Sequence, residues 1–221
     1  MEKPLSLSLR YSANLRGDIA LLPRLFTFIQ RLNPAEGPGT LILDLGNACD
    51  SAAPHCRQTG GRSMLIALDA MGYHAANIDG ALDPHNRRRV DEQVTMALVD
   101  GANDWRYRLP TLEDTGIRLA LRPNSAPARL QICLAPDERT RLESNVLFLR
   151  DVHAGQVGAA SVDLRRSPRL TDSAIHIMPP DTPPNSSIAG AIEFIESEAR
   201  LFHSRSASNR RGESDALTHN D

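Results

Sequence analysis

Apolar and polar residues alternate at the start of the chain, and helical periodicity follows. Leucines two positions apart predict a strand over 5–10, and the apolar spacing over 19–33 predicts an amphipathic helix that ends at "NPAEGPG". The run "TLILDLG" predicts a strand over 40–45 that is buried on both faces. A second helix over 61–71 and a short strand over 74–78 complete a β-α-β-α-β order. Because such crossovers are right-handed, the three strands should lie parallel in one sheet.

The second half of the chain follows a different pattern. Short strand-like runs separated by turn signals are "TMALVDG", "IRLALRP", "RLQICLA", "NVLFLRD", "GAASVDL" and "AIHIM". We expect them to form a second sheet or the far side of a two-layer sandwich. The helix predicted over 187–202 should cover that sheet, and it can be capped by Asn185 to Ser187. Its buried stripe would be Ile188, Ile192, Ile195, Ala199 and Phe202.

The end of the chain is poor in apolar residues. From His203 onward Leu217 is the only large aliphatic residue, which cannot offset the entropy of ordering this segment. The sequence therefore predicts one domain over 1–203 and a disordered tail over 204–221.

Charge and cysteine content exclude several classes of protein. With 25 basic and 27 acidic residues, the chain has no broad basic surface for nucleic acid. No stretch approaches the roughly 18 apolar residues of a membrane span, so we expect a soluble, cytoplasmic protein without membrane insertion. Cys49, Cys56 and Cys133 are odd in number and include no CxxC, which favours reduced thiols.

The turn "SANLRGD" at 12–18 stands where a catalytic loop would stand, between a strand and a helix. Such loops usually carry an acid and an imidazole, whereas this one carries Asn14 and Arg16. A second small signal is "CDSAAPHC" at 49–56, from which a zinc site could be drawn. Its spacing is not that of a known zinc finger, so an ordinary surface loop is the favoured interpretation.

Several fragments in order resemble the metallophosphoesterase domain of the 5′-nucleotidase family, which has the calcineurin-like phosphoesterase fold. "SANLRG" resembles the family's TNDLHG motif, "LILDLGN" its DxGD motif, and "AMGYHA" its ALGYDA helix end. "NIDGALD" at 77–83 then falls on GNHEFD, with one residue missing. "ALVDGANDWRYRLPTLEDTGIRLAL" resembles the next segment, and "HAGQVGAASVDL" the strand that closes the second sheet.

The resemblance covers about residues 5–202 and implies an α/β fold. That fold is a four-layer αββα sandwich with two mixed sheets, here reduced in the second half.

The family holds two divalent ions with carboxylates and histidines, and the matching positions here lack them. The first Asp falls on Asn14, its His on Arg16, the bridging Asp on Asn47, and the Asn-His pair on Asp79-Gly80 or Gly80-Ala81. Asp44 is retained, and no two histidines stand two apart. A protonated Arg16 about 4 Å from a cation would add roughly 4 kcal/mol of repulsion per unit charge pair. We therefore expect no dimetal centre and no cofactor.

Three functions follow from this degenerate site. The first is a catalytically inactive protein that serves as a binding or structural subunit, with another protein or a second copy as its partner. The second is a manganese or zinc phosphoesterase with a reduced dinuclear site; its ligands would be Asp44, Asp50, Asp79, Asp83 and a histidine such as His74 or His153. The third is a phosphate- or nucleotide-binding module that uses Asn14, Arg16 and Asn47.

Overall fold

The computed structural model describes residues 6–32, 39–107 and 116–197 and contains two mixed sheets. In chain order the strands are β1 (Ser6–Ser12), β2 (Thr40–Asp44), β3 (Ala75–Asn77), β4 (Ala97–Val99), β5 (Trp105–Tyr107), β6 (Ile117–Ala120), β7 (Leu130–Asp137), β8 (Arg141–Glu143), β9 (Val146–Arg150), β10 (Gln156–Asp163) and β11 (Arg169–Ile177). The helices are α1 (Leu22–Leu32), which follows a short 3₁₀ turn, α2 (Pro54–Thr59), α3 (Arg62–Ala70), α4 (Pro84–Asp91) and α5 (186–197).

The first sheet confirms the parallel strands predicted from the hydrophobic pattern. Its order is β11-β10-β1-β2-β3-β4, in which β1 to β4 run parallel. The strand predicted over 74–78 is shorter than expected, because residue 74 precedes it and residue 78 already turns away. The second sheet has the order β5-β6-β7-β9-β8, with β6, β7 and β9 parallel.

Two layers of apolar side chains hold the fold together. The residues between the sheets include Leu9, Tyr11, Leu43, Ile132 and Leu147, all fully buried. A second layer packs helices α1, α3 and α5 against the outer face of the first sheet. Between β4 and β10 the described residues contain no helix. The predicted reduction of the second half therefore takes the form of loops that join its strands directly.

Gly158 in β10 has a packing role. A Cβ atom at this position would lie 2.0 Å from Tyr11 Cζ, so the Tyr11 ring occupies the space that a side chain would need. The Tyr11 hydroxyl reaches past β10 to Thr140 Oγ1 at 3.2 Å. This close approach joins the first sheet to the turn before β8.

The structure corrects the predicted placement of three strands and the last helix. The runs that become β4, β10 and β11 do not join the second sheet. β4 pairs parallel with β3, β10 pairs antiparallel with β1, and β11 pairs antiparallel with β10. The last helix likewise covers the first sheet, because Ile188, Ile192 and Ile195 belong to its outer apolar layer. Asn185 caps this helix as predicted, accepting from Ile188 N at 3.1 Å. Ala199, Phe202 and the predicted tail over 204–221 lie outside the described residues.

No helix in the described part of the chain combines the length and the apolar character that a membrane crossing requires.

Candidate functional site

The loops after β1 and β2 are joined by backbone hydrogen bonds at the carboxyl edge of the first sheet. Asn14 N donates to Gly46 O at 3.0 Å, and Arg16 N donates to Asn47 O at 2.8 Å. Asn14, Arg16 and Asn47 all have left-handed backbones, with φ of 56°, 49° and 56°. Asparagine tolerates this conformation better than most residues, whereas arginine gains nothing from it. The two predicted site loops therefore form one rigid unit.

A chain of side-chain hydrogen bonds crosses from this unit to the second sheet. Asn47 Nδ2 donates to Asn14 Oδ1 at 2.9 Å. Asn14 Nδ2 donates in turn to Asp151 Oδ1 at 2.8 Å and to Val152 O at 2.9 Å. These three side chains, Asn47, Asn14 and Asp151, are called the amide bridge below. Both protons of the Asn14 amide are used, and the bridge connects the loops after β1 and β2 to the end of β9 in the second sheet.

Asp44 is the last residue of β2 and is fully buried. Its Oδ2 accepts from Gly46 N at 3.1 Å, and its Oδ1 lies 3.4 Å from Ser12 Oγ. Ser12 Oγ also lies 2.9 Å from the Tyr73 hydroxyl, whose pKa is raised by burial. Burial without a cationic partner raises the pKa of Asp44 to about 8. Asp44 is therefore a neutral acid at pH 7 and holds the turn that follows β2.

Arg16 does not pair with Asp44 or Asp79. Its side chain is exposed, and among the described residues it makes no side-chain hydrogen bond or ion pair. The positive charge next to the amide bridge therefore faces solvent.

Replacing Arg16 with alanine should change the free energy of unfolding by no more than about 0.5 kcal/mol, because only an exposed, unpartnered side chain is lost. Arg24→Ala is the matched control. Arg24 donates to Thr182 O at 3.1 Å and Pro180 O at 2.6 Å, so its loss should cost about 1–2 kcal/mol. Urea unfolding measures both, and an equal loss for the two variants would contradict the exposed position of Arg16.

Asp79 and Gly80 form an exposed turn after β3. Asp79 Oδ1 accepts from Gly101 N at 3.3 Å, and Gly80 has a left-handed backbone with φ of 68°. The side chain that enters the site from this strand end is Asn77. Its amide donates to Leu45 O at 2.9 Å and Leu134 O at 3.3 Å, one from each side of the sandwich. Asn77 thus links the loop after β2 to strand β7 of the second sheet.

The reduced metal site considered from the sequence is not assembled, because its members serve the local backbone. Asp50 accepts from Ala52 N at 2.9 Å within its own turn. Asp83 caps α4, accepting from His85 N at 2.9 Å and Asn86 N at 2.8 Å, and these bonds hold its pKa below the usual value.

The two candidate histidines lie beside different strands, His74 before β3 and His153 after β9. His74 Nδ1 accepts from Ile42 N at 3.1 Å before β3 begins, and burial lowers its pKa. His153 is exposed in the turn after β9. Of the residues described, no group of three His, Cys, Asp or Glu side chains could hold a metal ion.

The reduced state expected for Cys49 and Cys56 is wrong. They form a disulfide with Cα atoms 5.7 Å apart, and Cys133 is a buried free thiol. The seven-residue separation closes because the chain turns into α2 between them. His55 Nδ1 lies 2.8 Å from Ser63 Oγ and Nε2 lies 2.9 Å from Gly17 O. The segment "CDSAAPHC" therefore fastens both site loops and does not form a zinc site.

The sequence motifs did not indicate Asp151, because histidines were the ligands expected in this region. The sequence has Asp151 and His153 two positions apart, directly after the "NVLFLR" strand. An acid at the carboxyl end of a buried strand was the signal that could have identified it. Its partner Asn14 lies 137 positions away, so the contact itself has no local signature.

These residues do not fit the pair of divalent ions that the fold family implies. A dimetal centre needs several anionic oxygens or neutral imidazoles at each ion. Here two of the matching positions are amides already bonded to each other, Asp44 is buried and bonded to its own turn, and Arg16 adds a positive charge. Asp151 is the only carboxylate in the amide bridge.

Comparison with known proteins yields the fold. No family model matches the sequence, and no curated protein matches it either. Among solved structures it is similar to NAD nucleotidase (NadN) of Haemophilus influenzae, with a TM-score of 0.50 and 9% identity over 95% of this chain and 61% of that one. It is also similar to a putative 5′-nucleotidase of Staphylococcus aureus solved with alpha-ketoglutarate, with a TM-score of 0.56 and 8% identity over 87% of this chain and 58% of the other.

A third similar structure is a 5′-nucleotidase precursor from Thermus thermophilus, with a TM-score of 0.57 and 11% identity over 89% of this chain and 59% of that one. The chain thus spans about three fifths of the length of these proteins. At such low identity the similarity concerns the fold alone. The chain has a fold related to that of 5′-nucleotidase-family enzymes.

Proposed function

We propose that this protein is a catalytically inactive member of the metallophosphoesterase fold that acts as a binding or structural subunit. The observation that supports the proposal is the amide bridge, in which Asn47 donates to Asn14 and Asn14 donates to Asp151. Amides that bond to one another do not supply the anionic oxygens that two dications require. The bridge instead stabilises the contact between the two sheets, which is a structural role.

The metal-dependent hydrolase is less well supported. It needs Asp44 as a ligand, and this carboxyl is fully buried with its oxygens directed at Gly46 N and Ser12 Oγ. It also needs Asp50 and Asp83, whose carboxylates bind their own turns.

A phosphate-binding role for Arg16 is also less well supported. Both amide protons of Asn14 and one of Asn47 are already donated to other groups, and the Asp151 carboxylate at the end of the bridge repels anions. Arg16 alone is an exposed charge, which does not make a binding site.

Phosphatase assays test the proposal. The purified protein should not hydrolyse p-nitrophenyl phosphate, bis(p-nitrophenyl) phosphate or AMP, with or without added manganese. Asp151→Asn is the diagnostic variant, because it removes the only carboxylate of the bridge. Turnover that depends on manganese and is lost in Asp151→Asn would contradict the proposal and show that the protein is a metal-dependent phosphatase.

The predicted cytoplasmic location remains a proposal. The Cys49–Cys56 disulfide is a bond that oxidising compartments favour, and it weighs against that location. A partner is likewise proposed and not identified; the inactive-subunit hypothesis predicts that native protein co-purifies with another protein or with a second copy.

A further inference from the structure

The outer strand of the first sheet, β11, is the long free edge of the described structure. It has nine residues and pairs on one side only, with β10. The other edge strands of the described sheets, β4, β5 and β8, have three residues each. Proteins usually protect long edges by shortening or covering them, with β-bulges, or with proline and charged residues, lysine above all. β11 has neither proline nor lysine, its one β-bulge lies before Asp172, and most of its residues are exposed.

The register of β11 shows which backbone groups face outward. Met178 N donates to Gly155 O at 2.9 Å, and Ile177 stands opposite Gln156 in the antiparallel ladder. A β-bulge shifts the register before Asp172. From Asp172 onward bonded and non-bonded pairs alternate, so the even-numbered residues bond to β10 and the odd-numbered ones present N–H and C=O groups to the outside. Ser173, Ile175 and Ile177 therefore form a row of backbone groups without a partner in the described chain.

We propose that two copies of this chain associate by antiparallel pairing of their β11 edges, with Ala174 on the two-fold axis. In this register Ser173 of one copy pairs with Ile175 of the other, so all four outward groups of each pair are satisfied. Asp172 stands opposite His176 of the second copy, twice by symmetry. Both lie on the same face of the sheet as Ala174, so the Asp172 carboxylate and the His176 ring of each pair can form a cross-strand hydrogen bond.

The side chains at the centre and the end of the strand suit the same register. Ala174 is small, as a non-bonded pair on the axis requires, because its two Cα atoms approach to about 4.5 Å. Ile177, which is 74% exposed, would lie beside the β-bulge at Thr171 of the second copy, where the regular pairing ends. Shifting the axis to Ser173 or Ile175 would separate Asp172 from His176, so the charge pattern selects Ala174.

A second copy is the occupant that these features favour. When two copies pair in this register, Asp172 meets His176 twice, whereas the described edge has no feature that selects a different protein. This inference goes beyond the proposed function, since the edge can pair whether or not the amide bridge binds metal. A phosphatase assay therefore leaves it unchanged, and the measurements below leave the assignment of an inactive site unchanged.

Sedimentation equilibrium of the full chain gives the first test. The expected mass is twice 24.2 kDa at micromolar concentration. Ser173→Pro should give the monomer mass, because it removes an outward N–H while leaving the ladder to β10 intact. Ser173→Val is the matched control, since it keeps the N–H and should stay a dimer. A monomeric wild-type chain, as would result if residues 198–221 cover the edge, overturns the proposal.

Cross-linking and charge reversal test the register. Ala174→Cys should form a disulfide-linked dimer on mild oxidation, because Cα atoms about 4.5 Å apart are within disulfide range. Ser173→Cys should not. His176→Asp should raise the dimer Kd about tenfold by opposing two carboxylates, and the double variant Asp172→Lys/His176→Asp should restore it. A dimer that Ser173→Cys cross-links and Ala174→Cys does not would overturn this interface.

Discussion

Stability should fall by several kcal/mol as the pH rises from 4 to 8, and Asp44→Asn should remove most of that fall. The pKa of Asp44 is raised from 3.8 to about 8 by burial, so over this range the folded state keeps a proton that the unfolded state has lost. At 1.36 kcal/mol per pKa unit the effect is on the order of 5 kcal/mol. Because the folded state binds more protons, this contribution is present at low pH and is lost as the pH rises.

Other groups act in the opposite direction, which defines the window to measure. Burial lowers the pKa of His74 below its ordinary 6.5, so its contribution to stability rises with pH up to about that value. The lowered pKa values of Asp83, Asp100 and Asp137 reduce stability only as the pH falls below about 4. The fall that Asp44 causes is therefore least opposed between pH 6.5 and 8.

Urea unfolding of wild type and Asp44→Asn from pH 4 to 9 isolates this contribution. The asparagine can accept from Gly46 N and donate to Ser12 Oγ, so it fits the same contacts. Asp50→Asn, an exposed position in the same loop, is the control and should keep the wild-type fall. If Asp44→Asn keeps the same pH dependence as wild type, Asp44 is ionised in the folded protein and the account of the site is wrong.

Restoring charge at the site should create one metal site at most, at a large cost in stability without metal. In the triple variant Asn14→Asp/Arg16→His/Asn47→Asp, the new carboxylate at position 14 replaces an amide that lies 2.8 Å from Asp151. Three neighbouring carboxylates, at positions 14, 47 and 151, and the loss of both amide donors should lower the free energy of unfolding by about 2–4 kcal/mol in EDTA. Manganese should recover much of this loss, because the cation binds the folded state.

The stoichiometry distinguishes a partial site from a complete one. Calorimetry should find a single weak manganese site per chain, since Asp44 stays buried and Asp79 stays in its turn. Adding Asp151→Asn to the triple variant is the control and should abolish the manganese response. Two tight sites, or phosphatase turnover in the triple variant, would show that the scaffold still holds the rest of a dimetal shell.

Local patterns predicted the first sheet well because they reflect local physics. Alternation and apolar stripes identify β1, β2 and the helices after them, and right-handed crossovers then determine how the strands pair. The return of β10 to pair with β1 depends on contacts about 150 positions apart. The hydrophobic pattern of "GAASVDL" does not indicate which sheet this strand joins. The strand and the last helix were therefore assigned to the wrong layer.

The order of the sequence motifs indicated which loops form the candidate site, but not the hydrogen bonds, burial and disulfide within it. Asn14, Arg16 and Asn47 do meet at the ends of β1 and β2, as the order of motifs implied. Asp44 was treated as available, and only the packing around it shows that it is buried and neutral. The disulfide was missed because an odd cysteine count argued against pairing, although it excludes only the pairing of all three.

Metal analysis of the unmodified protein tests the central claim most directly. Protein purified without chelator and analysed by inductively coupled plasma mass spectrometry should contain no stoichiometric manganese, zinc or iron. The amide bridge and the buried Asp44, which is bonded to its own turn, leave too few anionic ligands. Dialysis against manganese should leave that result unchanged. About two ions per chain, reduced in Asp151→Asn, would contradict the account and identify a working dimetal centre.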